Sequence, residues 1–140
     1  MTRVALLQVD VSDTEPVDVR TKRVLELVYA QKGKADLVVL PELWHVGAFN
    51  DPALRENAQS RDGEIVQSLQ KAAQDIGAWI HGGSFVEVHD GEKLSNTSLI
   101  IRPDGTVAQF YRKIHLFGFD EGEAAMLTRG NDIVLLDESP

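Results

Sequence analysis

The chain has 140 residues, 43% hydrophobic and 26% charged, the ordinary range of one globular domain. Its 22 acidic and 14 basic residues give a formal net charge of −8, which repels phosphate backbones and anionic head groups, so no nucleic-acid partner is expected. Cysteine is absent, which excludes disulfides, thiolate metal sites and a thiol nucleophile for these residues.

The opening stretch, residues 2–10, is too short and too early interrupted for a signal peptide, and the apolar run 4–11 reads as a strand. Ser12 to Pro16 supply turn and helix-start chemistry, and Val17, Val24, Leu27 and Val28 recur at helical spacing up to a stop near Gly33. Leu37-Val38-Val39-Leu40 has no polar alternation, the pattern of a central strand buried on both faces. Residues 47–63 are polar and rich in breakers, mainly loop, with a short helix open to residues 52–58. A second amphipathic helix carries Val66, Leu69, Ala73 and Ile76 and ends at Gly77. A strand follows over 78–88, and two more, 94–102 and 106–113, flank the turn Pro103-Asp104-Gly105 as a hairpin. After an irregular stretch, Arg129-Gly130-Asn131-Asp132 turns into a last expected strand, 133–136. Alternating β and α elements followed by a hairpin define an α/β layered fold with a mixed sheet, and this length supplies few elements to cover such a sheet on both faces. No apolar run approaches the roughly 18 residues of a membrane-spanning helix, so a soluble, cytoplasmic protein without a membrane partner is expected, and the Asn96-Thr97-Ser98 sequon is irrelevant.

Two residues stand out chemically. Glu42 follows the buried strand and Pro41, where an α/β sheet delivers side chains into the crevice at its carboxyl edge; position alone also fits a solvated acid. Lys113 closes the hairpin within Phe110-Tyr111-Arg112-Lys113-Ile114-His115-Leu116-Phe117. A lysine buried there needs a partner, and near Glu42 it could face an oxyanion; Arg112 and Lys113 equally fit edge-strand cations that discourage aggregation. His45, His81, His89 and His115 show no paired metal-ligand spacing, and Gly82-Gly83 forms neither a Walker loop nor a dinucleotide fingerprint, so no metal or cofactor is expected. The two glycines suit a close backbone approach.

Leu40-Pro41-Glu42-Leu43-Trp44 and Tyr111-Arg112-Lys113-Ile114-His115-Leu116-Phe117 together resemble the glutamate and lysine motifs of the nitrilase superfamily, in the family's order, especially its omega-amidase-like and related amidase branches. The resemblance runs from Val4 to Leu136. It implies the N-terminal part of a single domain with the α-β-β-α sandwich of carbon-nitrogen hydrolases, residues 1–140 ending before the cysteine strand. It also implies roles: Glu42 as general base toward a cysteine thiol and later a water, Lys113 as stabiliser of the tetrahedral oxyanion, and Glu123 as a second glutamate. Glu121, in the same irregular segment, remains an alternative to Glu123. Neither Ser84 nor Ser139 lies in a nucleophile-elbow pattern that would replace the missing thiol.

The resulting expectation is a cofactor-independent hydrolase of small amides, with homo-oligomerisation or a complementary C-terminal half as its partner. Isolated, the chain is expected to be inactive. The alternative is a non-catalytic pseudoenzyme or interaction fragment that docks through an uncovered sheet edge.

Overall fold

The computed structural model describes residues 1–48, 50–118 and 122–138. In chain order the elements are β1 (Val4–Leu6), α1 (Val17–Tyr29), β2 (Leu37–Val39), α2 (Asp51–Glu56), α3 (Glu64–Ile76), β3 (Trp79–His89), β4 (Lys93–Ile101), β5 (Val107–Arg112) and α4 (Glu123–Met126). The strands form one mixed sheet in the order β1-β2-β3-β4-β5, parallel across the first three strands and antiparallel from β3 onward.

Local chemistry accounts for most boundaries. Pro16 precedes α1, and its carbonyl accepts the Arg20 amide at 3.0 Å. The helix stops at Tyr29, and turns carry the chain on to Gly33 in the left-handed region. Asn50 caps α2 by accepting the Ala53 amide at 3.3 Å. Gly77, left-handed at φ 67°, ends α3, with its N–H bonded to the Ala73 carbonyl. The β4–β5 hairpin turns at Pro103-Asp104-Gly105, where the Asp104 carboxylate accepts from both the Thr106 amide and hydroxyl. A second hairpin joins β3 to β4 through Asp90 and Gly91, both at positive φ.

Helices α1 and α3 cover one face of the sheet. Val24 and Val28 from α1, and Leu69, Ala72, Ala73 and Ile76 from α3, pack on Val38, Ile80, Leu99 and Ile101. Each fully buried Leu or Ile here is worth roughly 1.5–3 kcal/mol relative to an exposed one. Alternation along β4 sends Leu99 and Ile101 into this core, and turns Asn96 and Ser98 to the other face. None of the described helices is long and apolar enough to cross a membrane.

Two expected strands differ. The strand expected over 4–11 is laddered over Val4–Leu6, with one further bond from the Leu7 amide to the Val39 carbonyl at 3.0 Å, because β2 offers three residues before the chain turns away at Pro41. Residues 133–136 form no strand, since no ladder among the described residues pairs with them; Ile133 and Leu135 are 85% and 79% exposed. Val134 and Leu136 instead line a shallow cavity beside His81, Ser98 and Tyr111 on the sheet face opposite the helices.

Candidate active site

Glu42 lies three residues beyond β2, in a turn clamped to β3. The Leu43 amide donates to Ser84 Oγ at 3.1 Å, and Trp44 Nε1 donates to the Gly82 carbonyl at 3.0 Å. Leu43 is fully buried at φ 46°, a conformation that costs a non-glycine residue on the order of 1–3 kcal/mol and persists only because the packing around it is complete. Gly83, at φ 63°, makes the clamp possible: a Cβ there would collide with the Pro41 carbonyl. The ladder between β3 and β4 shifts register between His81 and Ser84, so the close approach sits at a bulge.

Lys113 follows β5. Its amide donates to the Asn96 carbonyl at 2.9 Å, and its own carbonyl accepts the Gly130 amide at 3.0 Å. Its ammonium donates to Glu42 Oε1 at 2.6 Å and Glu123 Oε2 at 2.7 Å. Glu123, at the start of α4, is 4% exposed and also accepts the Phe117 amide at 2.9 Å. Asn96, 2% exposed, donates from Nδ2 to Glu42 Oε1 and to Glu123 Oε1, both at 2.7 Å. The fold thus brings Glu42, Lys113 and Glu123 together; Glu121 lies outside the described residues.

Burial by itself would lower the Lys113 pKa, but the hydrogen bonds it donates to Glu123 and Glu42 outweigh it and the ammonium is held above its ordinary range. Burial likewise opposes charge on Glu123, yet the bonds from Lys113, the Phe117 amide and Asn96 hold its carboxyl below the usual value. Both groups therefore carry charge at neutral pH.

A cavity of about 170 Å³ opens beside this cluster, lined by Glu42, Asn96 and Lys113 on one side and by His81, Ser98 and Tyr111 on another. The Gly83 amide donates to His81 Nδ1, which leaves Nε2 to carry the proton of the neutral ring, 3.4 Å from Ser98 Oγ. A larger groove of about 430 Å³ between α1 and α3 contains none of these residues, and its lining has no comparable cluster. Among the described residues, no set of three His, Asp or Glu side chains is placed to hold a metal ion.

Arg112 and Lys113, adjacent in sequence, have separate fates. Arg112 turns to the helix-covered side and binds Glu87 through two bonds of 2.8 Å, while Thr97 and Arg61 complete the carboxylate's partners. Neither cation is a loose charge at a strand edge. In the sequence Asn96 stands out only as part of a sequon. Its signal was available in the hairpin, where strand alternation sets a polar residue beside the lysine on one face.

A family model described as carbon-nitrogen hydrolase matches residues 3–136, and the chain belongs to that family. It is 40% identical over 132 residues to a 2-oxoglutaramate amidase of Paenarthrobacter nicotinovorans, covering 92% of this chain and 45% of that protein. An omega-amidase of Danio rerio is 38% identical over 122 residues, 84% of this chain and 42% of the relative. Among solved structures, Saccharomyces cerevisiae Nit3, a member of branch 10 of the nitrilase superfamily, superposes with a TM-score of 0.82 at 26% identity, covering 97% of this chain and 51% of that one. A carbon-nitrogen hydrolase superfamily protein of Xanthomonas campestris gives 0.80 at 28% identity, with 97% and 49% covered. The mixed α/β architecture is therefore that of the carbon-nitrogen hydrolase sandwich, and the chain spans about half the length of the relatives it matches.

Proposed function

We propose that this chain supplies the base and the oxyanion-stabilising cation of an amide-cleaving carbon-nitrogen hydrolase of the omega-amidase type, and works with a cysteine that its 140 residues do not contain. The observation that carries the reading is the Lys113 ammonium held between Glu42 and Glu123 at the mouth of a small cavity.

In this reading Glu42 takes the proton of the thiol, and the thiolate adds to the amide carbonyl. Negative charge then develops on the carbonyl oxygen, which Lys113 stabilises; Glu123 keeps Lys113 charged and in place. Collapse breaks the C–N bond, the leaving amine or ammonia receives the proton from Glu42, and a thioester remains. Glu42 next takes a proton from water, whose oxygen attacks the thioester to release the acid and the thiol. Small omega-amides of dicarboxylic acids are the substrate class, a choice supported by the names of the amidases it resembles.

The test pairs the chain with a cysteine-bearing C-terminal half, joined or co-expressed, and follows ammonia release from 2-oxoglutaramate. Turnover is expected only in the paired protein and only with Glu42 and Lys113 intact. Hydrolysis by the 140-residue chain alone, abolished by Glu42→Gln, would overturn the reading. A second reading, non-catalytic docking through the edge strand, draws on the exposure of Val4 and Leu6 in β1. It predicts that pairing with the cysteine-bearing half yields no turnover.

A further inference from the structure

We infer that Asn96 is a positioning residue: its side-chain amide closes a ring of hydrogen bonds with Glu42, Lys113 and Glu123, and so decides which oxygen of Glu42 remains to accept a proton. The catalytic part of this inference rests on the function proposed above; the ring itself does not.

The path can be followed bond by bond. Lys113 Nζ donates to Glu42 Oε1, Asn96 Nδ2 donates to the same oxygen and to Glu123 Oε1, and Lys113 Nζ returns to Glu123 Oε2. Two carboxylates share one ammonium, so the cluster carries an excess negative charge, and without a further donor the carboxylates would repel each other across the lysine. A side-chain amide provides two N–H groups on one nitrogen and no net charge. Oδ1 could not replace Nδ2 here, because both partners are acceptors.

The amide is also well anchored. Asn96 is 2% exposed, and its carbonyl accepts the Lys113 amide. On the opposite face of β4, Ser95 donates to the Thr128 carbonyl at 2.8 Å and Thr97 to Glu87 at 2.6 Å. The Glu42 side chain, in contrast, is 52% exposed and would be free to turn toward solvent. Asn96 therefore orients the Glu42 carboxylate, not the reverse. With Oε1 accepting two donors, Oε2 has no donor among the described residues and is the oxygen left to take a proton.

The experiment has two arms. In the first, the 140-residue chain carries ¹³C labels at the Glu δ-carboxyl and Lys ε positions, and both signals are titrated in the unchanged chain and in Asn96→Leu and Asn96→Ser. The expected result is a Glu123 titration displaced upward in Asn96→Leu, because a donor to the charged form is lost, while the backbone amide spectrum is retained. Asn96→Ser is read the same way if Asn96→Leu does not fold. Unchanged Glu123 and Lys113 titrations in a folded variant, or loss of the fold in both variants, overturns the assignment. The second arm uses the chain paired with its cysteine-bearing half: Asn96→Ser should lower kcat for ammonia release roughly a hundredfold, the scale of a misplaced reacting group, with KM little changed. An effect confined to KM overturns the positioning role. If the unmutated pair releases no ammonia, the proposed function fails, while the titrations still decide the ring.

Discussion

The carbonyl of Pro41 occupies the space into which a side chain on Gly83 would project, and this approach of the Glu42 turn to β3 fixes where Glu42 stands. Replacing the glycine therefore acts on fold and site together. Gly83→Ala should cost about 2–5 kcal/mol, combining the left-handed backbone with overpacking against main chain. Gly33→Ala is the control: its φ is 71° but open space surrounds it, so only the backbone penalty of about 1–2 kcal/mol applies. Urea midpoints of the two variants should separate clearly; equal losses would mean that the Pro41 contact relaxes without cost.

Glu42 and Lys113 bond to each other yet should respond differently to substitution. The Glu42 side chain is half exposed, so Glu42→Gln is expected to change stability by less than about 0.5 kcal/mol while lowering kcat of the paired enzyme by roughly 10²–10⁴-fold. Lys113→Ala strips the buried Glu123 of its cation and should cost on the order of 1–3 kcal/mol besides activity. Thermal melts alongside ammonia assays check both. A Glu42→Gln chain as destabilised as Lys113→Ala would assign Glu42 a structural role.

His45 is fully buried, and neither ring nitrogen has a hydrogen-bond partner among the described residues. Burial, with the Arg20 guanidinium nearby, pushes its pKa down to about 3, so the folded chain holds the ring neutral. The unfolded chain binds a proton near pH 6.5, so stability falls as pH drops below that value toward 3. Between pH 7 and 5 the loss should be about 2 kcal/mol, and His45→Leu should remove most of it. Urea unfolding at both pH values tests this; an identical loss in His45→Leu would place the acid sensitivity elsewhere.

Glu87 is the buried hub for Arg112, Thr97 and Arg61. Burial would raise its pKa, but the bonds from Arg112 and Thr97, with Arg61 beside them, hold it at about 2. Its contribution is present above the ordinary carboxylate pKa and is lost as pH falls through about 2. Because both guanidiniums reach solvent, Glu87→Gln should cost about 2–3 kcal/mol, below the full value for a buried pair. Differential scanning calorimetry at neutral pH reads this directly, and a loss under 0.5 kcal/mol would reduce the cluster to a surface pair.

Local signals in the sequence were sufficient for α1, α3, β2 and the Pro103-Asp104-Gly105 hairpin, because apolar periodicity, proline and capping glycines act within a few residues. They were insufficient for β1 and for residues 133–136, because a strand is completed only by a neighbour's backbone groups: β2 limits β1 to three paired residues, and 133–136 have no described partner.

By itself the sequence determined the layered α/β class, the absence of a thiol, and Glu42 and Lys113 as the residues to watch. Tertiary structure decided that these two meet across 71 residues of chain, that Glu123 and Asn96 complete their ring, and that Arg112 leaves it for Glu87. Such contacts depend on strand register and face, where a shift of one residue exchanges Arg112 for Lys113. Composition and spacing carry no record of that choice.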